Sequence, residues 1–311
     1  MNDTTLAQHV RTLGRGPGRS RSLTRDEASE AMGLMLHGAD AHAVGALLML
    51  LRMKGETAEE IAGLAEAAQA AAGPLPQVDL DWPSYAAGRT RGLPWFLLSA
   101  KLLASAGHRV LIHGWNGPDA AVRQGVRTLG IACAATATEA EGALARDGLV
   151  YMPLEEMHPA LFSLLKLRGV LGLRSCVNTV CRMLNPGRAT ASVQGVFHPS
   201  YRLLQADAAQ LLGWDNLSVI KGGGGEFERH PGKLVEGFGL RRGAPWQGDQ
   251  PGLIDDGMRL ADLELPQSAL LDLWRDDQGP EFARQMVLGT AQLALETLGD
   301  ERFAAFLWEH R

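Results

Sequence analysis

At 311 residues the chain can bury a large core, divided between two lobes. With 46% hydrophobic and 21% charged residues it has the balance of an ordinary folded soluble protein, and no run reaches the roughly 18 apolar residues of a membrane helix. The first residues, MNDTTLAQHVRTLGRG, lack a signal peptide's apolar segment, and Cys133, Cys176 and Cys181 form no CxxC pair. Neither a zinc site, a disulfide framework nor a catalytic cysteine is expected, and the expected compartment is the cytoplasm.

The first third reads as helices. Thr24 caps the first, with Glu27 as its capping-box partner, and Ala31, Leu34 and Met35 follow at helical spacing up to Gly38. A second runs from about Ala41 to Met53 with Val44, Leu47, Leu48 and Leu51 on one face, ending at Gly55. Thr57, capped against Glu60, opens a third that reaches Ala72, and Gly73-Pro74-Leu75-Pro76 breaks the run. From residue 77 short apolar strands alternate with helices. Strand candidates are 109–112, 149–152, 193–196 and 217–220; helices fall near 93–106, 119–129, 159–170 and 200–212. This pattern predicts an α/β fold: a small all-α lobe, residues 1–76, and a larger lobe, 77–311, with a mostly parallel central sheet. Ligands of such sheets bind beyond the carboxyl ends of the strands, where loops 82–91, 113–118 and 221–228 lie. Helices return near 268–274, 281–298 and 300–310.

The net charge of −5 is unevenly spread. Residues 11–25 carry five arginines and no acid, residues 165–246 have a net charge of +6, and residues 247–311 one of −8. A basic surface on an acidic chain can still attract a polyanion, because screening confines each patch to its surroundings. The early arginines read as a solvated arm of the kind that binds nucleic acid. Residues 219–246 hold the other conspicuous feature: Gly222 to Gly225 in a row after Lys221, then Glu226 and Glu228. Bare backbone can cradle an anion, and two carboxylates suit a hydrated Mg²⁺.

These segments resemble the anthranilate phosphoribosyltransferase family (glycosyltransferase family 3) and the nucleoside phosphorylases of the second class. Arg52 to Thr57 resemble the family's "R-x-K-G-E-T" turn. Arg168, Gly172, Arg174, Asn178, Asn185 and Pro186 match its "R-x-x-L-G-I-R-T-x-x-N-x-x-x-P-x-x-N-P" segment, and Lys221 to Glu228 fall on its "H-G-x-x-G-x-D-E" metal motif. Three places depart from the pattern. The family's "G-T-G-G-D" phosphate loop is Trp82-Pro83-Ser84-Tyr85-Ala86-Ala87-Gly88-Arg89 here. The "K-H-G-N-R-x-x-S-S-x-x-G" loop keeps only His113 and Gly114, and Phe227 replaces the metal motif's aspartate. With Gly14-Arg15-Gly16 ahead of the first predicted helix and Pro83-Ser84-Tyr85 among basic residues, the chain is similar to the family's YbiB-type paralogues.

The resemblance implies a helix near 157–170 joining the helical lobe, a homodimer formed through that lobe, and nucleic-acid binding with little sequence preference. The leading expectation is a non-catalytic or weakly catalytic homologue that binds single-stranded DNA or RNA through Arg15, Arg19, Arg21, Lys166, Arg174, Arg182 and Arg188, with Trp82, Tyr85, Trp95 and Trp115 as stacking faces. The alternative is a phosphoribosyltransferase using phosphoribosyl pyrophosphate, with an unknown acceptor. Ser84, Tyr85, His113, Gly114, Asn116, Arg168, Lys221, Gly222, Gly223 and Gly224 would then line the substrate site, and Glu226 and Glu228 would hold Mg²⁺. The unbroken run Leu47 to Leu51 spans more than one helix face, so part of it is expected to meet a second subunit, the alternative being that the second lobe covers it within one chain.

Overall fold

The computed structural model describes residues 5–86, 92–117, 120–255 and 264–311. Four helices come first: α1 (Leu6–Gly14), α2 (Arg25–Leu36), α3 (Ala41–Lys54) and α4 (Ala58–Ala71). Both expected capping boxes form, Thr24 with Glu27 and Thr57 with Glu60. The Glu60 carboxylate is buried and does more, accepting from the backbone N–H of Leu23 and Thr57 and from Lys54 Nζ. It thereby ties the entry of α2 to the turn between α3 and α4.

The α/β part follows as β1 (Leu80–Ser84), α5 (Phe96–Ser105), β2 (Val110–Gly114), α6 (Ala121–Thr128), β3 (Ala132–Cys133), α7 (Ala137–Asp147) and β4 (Leu149–Pro153). Four short helices come next, α8 (Leu154–Met157), α9 (Pro159–Lys166), α10 (Arg168–Leu171) and α11 (Val177–Arg182). Then come β5 (Ala191–Val196), α12 (Ser200–Leu211), β6 (Asn216–Lys221), β7 (Val235–Arg241), β8 (Ala244–Gln250), α13 (Ala269–Asp276), α14 (Glu281–Leu298) and α15 (Ala304–Glu309). The strands form one sheet in the order β3-β4-β2-β1-β5-β6-β7-β8. All pairings from β3 through β6 are parallel; β7 and β8 add an antiparallel hairpin at one edge. One core lies between the sheet and a layer containing α1–α4, α7–α9, α11 and α12; the other lies beneath α5, α6, α13, α14 and α15. The fold is the expected helical unit followed by an α/β unit with a mostly parallel sheet.

Four expectations need correction. The arginine-rich start is not a loose arm, although Arg11, Arg15, Arg19 and Arg21 are exposed: α1 buries Leu6, His9 and Leu13. Its Gly14 comes so close to Leu50 that an added Cβ would lie 3.3 Å from Leu50 Cδ1, and Met49 and Leu50 both pack against the chain's own core. The run Leu47 to Leu51 is therefore covered within one chain, and it gives no reason for a second subunit. The single helix expected at 159–170 is two pieces, α9 and α10, with α8 before them; α9 packs on α2, and α11 on α4. Finally, β1 continues through Trp82, Pro83 and Ser84, where a loop was expected, and β2 includes His113 and Gly114.

His158 joins the two parts. Its Nδ1 accepts the Leu161 N–H that caps α9, and its Nε2 meets the carbonyl of Ala68 in α4 at 3.0 Å. Both contacts require a neutral ring protonated at Nε2, and burial pushes its pKa below the usual 6.5. A histidine held neutral in the fold binds protons more readily when unfolded, so its contribution is complete above about pH 6.5 and is lost as pH falls toward the depressed value. His158→Asn, which can still cap but does not titrate, is expected to flatten the loss of thermal stability below that pH, as measured by melting temperature across a pH series.

Candidate functional site: an arginine cleft beside self-filled strand ends

Beyond the carboxyl end of β5 lies a cleft of about 210 Å³. Its walls come from α3 (Arg52), α10 and the turn after it (Arg168, Gly172, Leu173, Arg174, Ser175), α11 (Asn178, Thr179, Arg182), the end of β5 (Val196, Phe197, His198) and α12 (Tyr201, Gln205). Among the described residues four arginines and a histidine line it, and no Asp or Glu does. Such a wall attracts anions, and the half-buried rings of Phe197 and Tyr201 offer aromatic surface beside the guanidinium groups. Tyr201 Oη stands 3.5 Å from Arg52 Nη1, and Arg174 Nη2 stands 3.5 Å from the Ala86 carbonyl.

Arg182 differs from the other three. Its guanidinium is buried and bonds to the carbonyls of Gly195 (2.9 Å), Asn178 (3.1 Å), Tyr85 (3.0 Å) and Gly225 (3.5 Å), and to Asn178 Oδ1. Burial lowers its pKa, against which the charge of Glu226 acts. It is a strut that joins α11 to the ends of β1 and β5 and to the glycine turn, and the expectation that it binds nucleic acid at the surface is corrected.

The strand ends beside the cleft are closed by their own side chains. Trp82 is fully buried, stacked on Phe96 at 5.9 Å and edge-on to Phe227 at 5.5 Å. Tyr85, also fully buried, has its hydroxyl 2.8 Å from His113 Nδ1, while His113 Nε2 lies 3.1 Å from Asp81 Oδ1. Asp81 Oδ2 accepts from Ser192 Oγ, and the polar chain continues through Gln194 to Gln205 in the cleft wall. Burial raises the Tyr85 pKa well above its ordinary value, so the phenol stays protonated. Ser84 accepts from Asn116 Nδ2 at 3.1 Å, and a Cβ on Gly114 would fall 2.0 Å from the Ser84 carbonyl oxygen. Ser84, Tyr85, His113, Gly114 and Asn116 thus form a buried floor; none of them lines the cleft.

The glycine run is a tight turn. Gly225 and Glu226 donate their N–H groups to the carbonyls of Gly222 and Gly223. Gly222 must be glycine, because a Cβ there would lie 1.6 Å from the Glu226 carbonyl oxygen. Phe227 then plunges into the core beside Trp82 and carries its two neighbours inward. Glu226 Oε1 accepts from the Ala86 N–H at 2.9 Å and from Asn116 Nδ2 at 3.1 Å; Glu228 Oε1 accepts from the Phe96 N–H at 3.0 Å. Mg²⁺ demands near-octahedral oxygens and keeps several waters. Two buried carboxylates engaged with backbone amides do not fit that requirement as placed, and no cluster of three or more His, Cys, Asp or Glu suited to a metal ion is found among the described residues. The expectation that Glu226 and Glu228 hold Mg²⁺ rests on the family resemblance and not on this geometry.

Of the other expected site residues, Arg168 and Arg174 line the cleft, whereas Lys221, Gly222, Gly223 and Gly224 do not. Arg15 and Arg19 are exposed beyond α1, but Arg21 is engaged with Glu27 at 2.6 and 2.7 Å. Lys166 is exposed over the Phe162 ring. Arg188 stands beside Gly187, which packs on Val78 and Leu111, so it belongs to the amino-terminal edge of the sheet, opposite the cleft. Ala87, Gly88, Arg89 and Pro118 lie outside the described residues. Sequence reasoning missed Arg52, Phe197, His198 and Tyr201 as lining residues, although their position after a parallel strand, or in a segment already singled out, was a usable signal.

Residues 8–72 match the family model described as the glycosyl transferase family, helical bundle domain. The anthranilate phosphoribosyltransferase of Natronomonas pharaonis is 31% identical over 226 residues, covering 70% of this chain and 66% of that enzyme. The Roseiflexus sp. enzyme is 33% identical over 215 residues, covering 67% and 62%. The chain belongs to the anthranilate phosphoribosyltransferase family. The matched region falls just short of two thirds of those relatives' length. The same fold is seen in the Thermus thermophilus enzyme, with a TM-score of 0.80 at 21% identity over 98% of this chain and 92% of that one. It recurs in the Saccharomyces cerevisiae enzyme solved with phosphoribosyl pyrophosphate and Mg, with a TM-score of 0.72 at 16% identity over 97% and 91%.

The contrast between buried and exposed arginines is measurable. Arg182→Ala strands several buried carbonyls and is expected to cost roughly 3–5 kcal/mol in urea unfolding. Arg168→Ala, at an exposed position, is expected to change stability by no more than about 0.5 kcal/mol.

Proposed function

We propose that this chain is a phosphoribosyltransferase-type protein whose arginine cleft receives an anionic, aromatic-bearing ligand. The observation that carries the reading is a cleft lined by Arg52, Arg168, Arg174 and Arg182, with no acid among its described lining residues, at the carboxyl end of a parallel sheet. Family membership supports phosphoribosyl transfer as the activity, with the acceptor open. The filled ends of β1 and β2 support assignment to the YbiB-type paralogues, since Trp82 and Tyr85 stand where the family resemblance implies a phosphate loop. Arg168 and Arg174 would hold the ligand's anionic group, and Phe197 and Tyr201 would offer it ring faces. No step is routed through a metal, because Glu226 and Glu228 as placed do not present one.

Nucleic acid is the second reading, favoured by the same juxtaposition of arginines with Phe197 and Tyr201, the ingredients that hold single strands. One titration series separates the two. Calorimetry with phosphoribosyl pyrophosphate and with simple aromatic carboxylates is expected to show binding that Arg168→Ala and Arg174→Ala each weaken about tenfold or more, the equivalent of one charge-assisted hydrogen bond. Fluorescence polarisation with a single-stranded oligonucleotide tests the rival. Steeply salt-dependent binding of the oligonucleotide, with none of the small ligands retained, would replace the transferase reading by the nucleic-acid one. Absence of all binding at low salt would remove both.

A homodimer through the helical lobe is also proposed. It is supported by the exposure of Met53 at 83%, Val170 at 82% and Leu173 at 50%, and not by the covered leucine run. Light scattering at micromolar concentration is expected to give twice the 33.4 kDa chain mass, and Met53→Glu with Val170→Glu to return it to one. A wild-type monomer mass unchanged on concentrating would rule the dimer out.

A further inference from the structure

The donors at the ends of the β1–α5 connection are of the type that hold phosphate. Ala86 N–H lies just past the carboxyl end of a parallel strand, and Phe96 N–H opens the ten-residue helix α5, whose amino end carries partial positive charge. Asn116 Nδ2 adds a side-chain donor from the loop after β2, and Arg182 supplies a full positive charge nearby. All are buried or at buried positions, and an unmatched donor there would be costly. Each of the three neutral donors ends on a carboxylate oxygen delivered by the glycine turn: Ala86 and Asn116 on Glu226, Phe96 on Glu228. Phe227, fully buried between them, fixes this arrangement by packing against Trp82.

We propose that these donors form an oxyanion subsite that the protein fills with its own Glu226 and Glu228, which act as internal substitutes for a phosphate-type ligand and not as metal ligands. Neither carboxylate lines the arginine cleft; Arg182 stands between the two sites. The self-filled subsite has a consequence for transfer from a diphosphate donor. Such a donor can reach Ala86, Asn116 and Phe96 only where the turn at 222–228 gives up those bonds, so in the closed arrangement the donor's diphosphate competes with the chain's own acids.

The test is chemical rescue, read by thermal melting of the full chain in metal-free buffer. Glu226→Ala is expected to lower the melting temperature by several degrees through the stranded amides. Millimolar inorganic phosphate is expected to restore much of that loss, whereas chloride at matched ionic strength is not. Wild type is expected to gain nothing comparable from phosphate, and nothing from Mg²⁺ with inorganic pyrophosphate. Should Glu226→Ala fail to fold, Glu226→Gln and Glu228→Gln serve: each keeps an accepting oxygen, removes a charge, and is expected to be destabilised without metal and indifferent to Mg²⁺. Two results would overturn the proposal. One is Mg²⁺-dependent stabilisation of wild type by pyrophosphate that Glu226→Gln or Glu228→Gln abolishes, as metal ligands require. The other is a loss in Glu226→Ala that phosphate does not restore beyond chloride. Phosphate rescue reads the Glu226→Ala position, whereas ligand titration of wild type reads the cleft, so a failure of the cleft reading and a failure of the self-filled subsite are told apart.

Discussion

A guanidinium group withdrawn from water organises the carboxyl edge of this sheet. Burying Arg182 is unfavourable unless its donors are met, and the fold meets them with carbonyls from β5, α11, the residue after β1 and the glycine turn. Those four pieces of chain are far apart in sequence and cannot separate without stranding the charge. Glu226, whose charge Arg182 feels, bonds in turn to the backbone just past Tyr85 and to Asn116 after β2. The cleft inherits a rigid inner wall from this arrangement, while Arg52, Arg168 and Arg174 remain toward the open side.

What could be read from sequence was what depends on local chemistry. Thr24 with Glu27 and Thr57 with Glu60 marked helix starts because a capping box is closed within four residues, and the structure forms both. Thr136 with Glu139 carries the same signal and opens α7, which was overlooked. The parallel strands were legible as apolar runs because both faces of the sheet are covered. β7 and β8 escaped notice: Gly237, Gly239 and Gly248 interrupt the pattern, and β8 is largely exposed. Glycine is required in this hairpin by close contacts, since a Cβ on Gly237 or Gly248 would run into the Trp246 ring.

The candidate site was less legible than the fold. Counting charges located the basic stretch correctly but gave no direction to any side chain. Arg182 turned inward, Arg188 fell at the opposite edge of the sheet, and Arg21 was taken by Glu27, leaving Arg168 and Arg174 in the cleft. The two acids beyond the glycines looked suited to a metal because a pair of carboxylates suits a hydrated Mg²⁺. The residue between them set their surroundings: Phe227 is buried against Trp82, and Glu226 and Glu228 on its flanks find buried partners.

Trp82, Tyr85 and Phe227 therefore have an effect larger than their number. Trp82 and Tyr85 stand where the family resemblance implies a phosphate loop, Phe227 where it implies the metal motif's aspartate, and each is fully buried here. Filling that space with rings converts loop into strand end, as the continuous pairing of β1 with β2 through Ser84 and Gly114 shows. The polar groups once facing outward must then be matched internally, which is the part played by His113 against Tyr85 and by Glu226 against Ala86. The arginine cleft needs none of these residues for its own walls, so ligand binding there and closure of the neighbouring strand ends are separable properties of one fold.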